Sequence, residues 1–129
     1  MSIPILIAGL LSLFAFFAHA FIGHNELNLL KPGDDSPDKH QEVWIQARSG
    51  WHWVSVDLFL AGTLLILLAT TEIISAQVEV LQLLALYFAV CGLVWLGTVL
   101  FSRSSNRQIL QLGQWIFCFL MSGLIYFGS

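Results

Sequence analysis

Four long segments, each with an apolar span, about Ile3–Leu30, Pro37–Thr71 (its apolar section beginning well after Pro37), Gln77–Phe101 and Arg107–Phe127, are separated by three short connections. Crossing the hydrocarbon of a bilayer takes about 20 apolar residues. A segment in lipid must satisfy its own backbone groups, so runs of this kind fold as helices. Charge then sets their direction. All five basic residues, Lys31, Lys39, Arg48, Arg103 and Arg107, fall in or beside the first and third connections. The connection Ala69–Leu81 and both termini carry no Lys or Arg. Short loops rich in Lys and Arg stay cytoplasmic. The pattern predicts an all-α bundle of four transmembrane helices in antiparallel up-down order, with both termini outside and loops one and three in the cytoplasm.

Composition supports this class. With 57% hydrophobic residues, 10% charged residues and a mean hydropathy of +0.81, the chain departs from a soluble globule. The net charge of −3 is small. The cations serve as loop anchors and form no basic patch with interleaved aromatics, so nucleic acid is not an expected partner. Cys91 and Cys118 lie deep in apolar runs and read as small packing residues, outside any disulfide framework or CxxC motif. Met1–Ala20 ends in Ala18-His19-Ala20, which imitates a cleavage site, but it lacks the basic start of a signal peptide. It is expected as a retained helix, and residues 1–129 as one integral membrane domain.

Helix boundaries follow from local signals. Lys31–Lys39 contains Pro32-Gly33-Asp34-Asp35-Ser36-Pro37-Asp38, and Ser36-Pro37 marks a helix start, an N-cap followed by Pro. The expected helices are approximately 3–30, 37–71, 77–101 and 107–127, with a tight turn over Ser102–Asn106. Helices one and two are the longer pair and overhang on the cytoplasmic side. Trp44, Trp51 and Trp53 suit an interfacial aromatic belt there, and Gly9, Gly23, Gly62, Gly92, Gly97, Gly113 and Gly123 permit close helix approach.

Polar residues within the spans carry the functional argument. An ionisable group in hydrocarbon costs at least about 2.5–3.5 kcal/mol, and Asp57 lies between Trp53-Val54-Ser55-Val56 and Leu58-Phe59-Leu60. With a hairpin centred near Asp38, antiparallel partners have residue numbers summing to about 76. His19 is then level with Asp57, His24 with His52, and Glu26 close to Arg48. Around an ideal α-helix His19 and Glu26 share one seam, and Arg48, His52 and Ser55 another, while His24 and Asp57 stand about 140° from their nearest ring neighbours. Gln111 and Gln114 of helix four reach a comparable depth.

Three readings of this layer compete. In the first, His19, His24 and His52 with Asp57 or Glu26 hold a metal ion, since imidazole suits zinc, copper and iron. In the second, two histidines ligate haem from opposite faces, or line a quinone, in the bundle core. In the third, His19–Asp57 and Glu26–Arg48 are buried pairs that fix helix register. In the ligand readings His24 and His52 bind directly, His19 and Asp57 are ligands or an orienting pair, and Arg48, Gln111 and Gln114 support them. His40, among Asp38, Lys39 and Glu42, is expected in solvent, and Trp95 and Trp115 as packing residues.

The run His19-x-x-x-Gly23, Glu26, Pro32, Arg48 and Trp51-His52-x-x-Ser55 resembles a pattern in short bacterial four-helix integral membrane proteins of unassigned function. The likeness covers about the first 60 residues. In that pattern the acid directly follows the glycine, whereas here His24 and Asn25 intervene. The resemblance implies the same fold and a bacterial inner membrane, and no activity. The leading expectation is a small membrane protein binding a metal or haem-type redox cofactor. Its alternatives are an accessory or assembly subunit of a larger membrane complex, and an oligomeric transporter with Asp57 as the proton-coupled carboxylate.

Overall fold

A computed structural model describes residues 2–102, 109 and 112–129. The described residues are helices joined by turns and short irregular segments, with no strand among them. Helix α1 (Ile3–Phe17) runs through a π-helical segment (Ala18–Gly23) into α2 (His24–Asn28), giving one continuous limb. Helix α3 spans Asp38–Thr70, α4 spans Gln77–Phe101 and α5 spans Gln114–Gly128. The first three limbs, of 26, 33 and 25 residues, are long and apolar enough to cross a membrane. At about 1.5 Å per residue each exceeds the roughly 30 Å of hydrocarbon.

The ends of these limbs follow the sequence signals. The amides of Leu29, Leu30 and Lys31 donate to the carbonyls three residues back, a tightened last turn. The Pro37 carbonyl then accepts from the His40 and Gln41 amides at the start of α3. Within the limbs, the hydroxyls of Thr63, Thr70, Thr71 and Thr98 each donate to the carbonyl four residues earlier. A hydroxyl satisfied this way can face lipid without an orphaned donor.

The fourth helix departs from expectation. It was expected from Arg107, yet the chain turns at Leu112–Gly113 and α5 has only 15 residues, short of a full span. Gly113, with φ −74° and ψ 13°, leaves the helical region. A break frees carbonyls, and two indoles take them: Trp95 Nε1 donates to Leu112 at 3.2 Å and Trp115 Nε1 to Ile109 at 3.2 Å. Trp95 and Trp115, expected only as packing, thus satisfy interrupted backbone, which membrane burial requires. The turn expected over Ser102–Asn106, the cations Arg103 and Arg107, and Gln111 fall largely or wholly outside the described residues.

The chain forms two compact units. One, Gly9–Leu64, is a hairpin of the second half of the first limb and the first half of α3. Its centre packs closely: Ser12 is fully buried and donates to the Leu58 carbonyl at 2.8 Å. A Cβ at Gly62 would sit 2.9 Å from Leu13 and 3.1 Å from the Gly9 carbonyl. The other unit, Met1–Ala8 with Leu65–Ser129, has α4 packed on α5 around Leu65, Phe88, Met121 and Ile125.

Candidate functional site

Two of the candidate ligands, His24 and His52, meet within the hairpin, beside a local change of helical pitch. The π segment Ala18–Gly23 follows an i→i+5 pattern with about 4.4 residues per turn, a form found mostly as short insertions at functional sites. His19 and His24 are five residues apart. That separation is about 140° around an α-helix but about 50° around the wider π turn. The π segment therefore rotates His24 towards the face that His19 turns to α3.

Trp51 holds the wider turn. Its ring rests on Gly23, where an added Cβ would fall onto the indole itself. Its Nε1 donates to the His19 carbonyl at 3.1 Å, supplying the partner that a buried carbonyl requires. The His19 ring stacks on Trp51 with centroids 4.1 Å apart and planes within 9° of parallel. His19 Nδ1 lies 3.0 Å from Ser55 Oγ, and Ser55 donates to the Trp51 carbonyl at 3.4 Å. With the Ser55 proton on the Trp51 carbonyl, the contact accommodates a His19 Nδ1–H donor.

Beside this assembly, the His24 and His52 rings lie 5.4 Å apart between centroids, tilted by 37°. His24 Nε2 lies 2.9 Å from the Asn28 side-chain amide. His24 Nδ1 is buried with no hydrogen-bond partner among the described residues. A buried polar atom of this kind is uncommon in a native structure.

Several expected contacts are corrected. His19 Nδ1 meets Ser55 Oγ at 3.0 Å, so the register at His19 is offset by two residues. Asp57 lies about 200° around α3 from Ser55, on the exposed flank of the helix. Glu26 is exposed, and the Arg48 guanidinium sits 5.3 Å over the Trp44 ring instead of reaching it. Lys39 and Glu42 form an ion pair, 3.1 Å, on the exposed start of α3. Gln114 is exposed on the first turn of α5. No group of three His, Cys, Asp or Glu side chains converges on one point among the described residues. The His24–His52 pairing, by contrast, is as the expected register has it.

Sequence reasoning missed the roles of Trp51 and Gly23. The signal was present in the motif itself: His19, Gly23, Trp51, His52 and Ser55 all belong to the pattern noted above, and all five lie in this site. No protein-family model matches the chain, and neither a curated relative nor a solved structure does.

Proposed function

We propose that this is a small integral membrane protein that holds a transition-metal ion at His24 and His52, with His19 as the neighbouring imidazole fixed by Trp51 and Ser55. The observation that carries the reading is the His24–His52 pair, 5.4 Å between rings, with a buried unpartnered nitrogen on His24. At metal–nitrogen distances of about 2.0–2.1 Å, two imidazoles on one tetrahedral ion have ring centroids about 5 Å apart, and two across a haem iron about 6 Å. The observed spacing favours the bare ion over haem. Imidazole ligation suits zinc, copper or iron, and the remaining positions belong to water or substrate.

The charge distribution supports an orientation with both termini outside and loops one and three in the cytoplasm, the hairpin site lying towards the cytoplasmic face of a bacterial inner membrane. Metal analysis and a visible spectrum of protein purified in mild detergent test the ligand reading. Stoichiometric metal that is lost from both His24→Ala and His52→Ala supports it. Protein free of metal that also fails to take up added zinc or copper overturns it.

A second reading, an accessory subunit of a larger membrane complex, draws on a different feature. Leu27, Leu30, Pro32, Val43, Trp44 and Ala47 line an open, mostly apolar groove of about 480 Å³ on the hairpin. Specific co-purification of another membrane chain, lost on Val43→Asp, would favour that reading.

A further inference from the structure

The two ring nitrogens of His24 have different surroundings. Nδ1 is buried with no hydrogen-bond partner among the described residues. Nε2 lies 2.9 Å from the Asn28 side-chain amide, in an exposed contact. The pair is local, since residues four apart on a helix stand one above the other. The Lys31 amide donates to the Asn28 backbone carbonyl at 3.2 Å, which holds Asn28 on the tightened last turn of the limb.

A neutral imidazole carries one N–H and one lone pair, and a primary amide offers both donors and an acceptor. Two arrangements therefore fill the same contact. With Asn28 Nδ2 against Nε2, as placed, the imidazole proton must sit on Nδ1, where it becomes a buried donor with no acceptor. A stranded donor of that kind forfeits its full hydration. A half-turn of the amide exchanges Nδ2 for Oδ1 at the same distance and moves nothing else. Nε2–H is then a satisfied donor, and Nδ1 keeps a lone pair on the buried edge of the ring. The Asn28 NH2 group stays at the surface, where Asn28 is exposed and water is at hand. With Nε2 occupied by the amide, an ion shared with His52, whose ring lies 5.4 Å away, is reached through Nδ1.

We infer that Asn28 is the positioning residue of this site: its Oδ1 accepts from His24 Nε2–H, fixes that tautomer and presents the Nδ1 lone pair to the ion. The inference rests on the metal reading proposed above. A metal-bound histidine almost always donates its second ring N–H to an oxygen, which orients the ring and raises its basicity as a ligand. At His24 a side-chain amide one helical turn away fills that role.

Asn28→Asp and Asn28→Leu separate the two arrangements, because aspartate keeps the acceptor and loses the donor while leucine loses both. The full chain in mild detergent, labelled with nitrogen-15 at its four histidines, is measured metal-free and then with added zinc, at about pH 8 so that ordinary imidazoles are neutral. The nitrogen shifts report which ring nitrogen carries the proton, and His24→Gln identifies the His24 signals. His24 should be protonated on Nε2 in wild type and Asn28→Asp, and should become a mixture of tautomers in Asn28→Leu. Zinc should move the Nδ1 signal, with affinity retained in Asn28→Asp and about 10–100-fold weaker in Asn28→Leu. The His19 signals, held by the Trp51 stack, should be the same in all three proteins. A wild-type His24 protonated on Nδ1, or an Asn28→Asp tautomer that matches Asn28→Leu, would overturn the role of Asn28. Equal zinc affinity in the three proteins would overturn it too, while leaving the metal site standing. Wild-type protein that takes up no zinc or copper would overturn the metal site itself, and this role with it.

Discussion

Replacing Gly23 by alanine tests the part of the structure on which the candidate site depends. One methyl group at this position falls onto the Trp51 indole. The ring must move, and it cannot do so without disturbing both its stack on His19 and its hydrogen bond to the His19 carbonyl. Overpacking typically costs about 1–3 kcal/mol. Loss of the hydrogen bond adds about 1 kcal/mol, and loss of the stacking about 1 kcal/mol. Gly23→Ala should therefore destabilise the protein by about 3–5 kcal/mol, several times the size of a glycine-to-alanine change that meets no neighbour. Thermal unfolding in detergent of wild type, Gly23→Ala, Trp51→Phe and the double variant forms a cycle that isolates the coupling. With the smaller ring, the added methyl has room, and its cost should fall below about 1 kcal/mol. Strictly additive effects, or a single-variant cost under about 0.5 kcal/mol, would show that Gly23 and Trp51 do not meet and that the π turn has another cause.

Other outcomes follow from the same contacts. Gly62→Val should destabilise by about 1–3 kcal/mol, because its Cβ meets Leu13 and the Gly9 carbonyl on the facing limb; unfolding in detergent checks this. His19→Leu and Ser55→Ala should be coupled by about 1 kcal/mol or more in a double-mutant cycle in detergent. Met121→Ala should cost about 2 kcal/mol, the lower end of the range for buried methionine, since lipid removes most of the transfer term and leaves the lost packing. A reporter fused after Ser129 should be active only outside the cytoplasm, and cytoplasmic activity would reverse the orientation argued from the basic loops.

The large-scale arrangement was legible because membrane energetics leave few choices. Apolar length and Ser36-Pro37 place the start of α3 at Asp38, one residue from the expected position, and the antiparallel count places His24 beside His52. What the sequence hid were departures from ideal α geometry. A register argument with 100° per residue turns His24 away from its neighbours, and only the extra residue of the π turn brings it back. The same assumption carried helix four straight through Gly113, where the backbone breaks and indoles at positions 95 and 115 take its carbonyls. In both places a tryptophan does the compensating. Read by composition alone, Trp51, Trp95 and Trp115 are belt or filler; their hydrogen bonds become visible only once the helix they cap is known to be irregular.

This shared use of tryptophan bears on why the irregular turns persist in lipid. A π turn or a helix break exposes carbonyls, and no water in hydrocarbon can satisfy them. An indole covers a large apolar area and carries one N–H at its edge, so it can pack in the bundle and still deliver a donor. At Gly23 that solution also fixes the chemistry. The donor that satisfies the His19 carbonyl belongs to the ring on which the His19 imidazole stacks, and the Trp51 carbonyl takes the Ser55 proton. Backbone repair and imidazole orientation are therefore one structure. A substitution that relaxes the π turn to α-helix should release both histidines together: His19 from its stack, and His24 from the face it shares with His52.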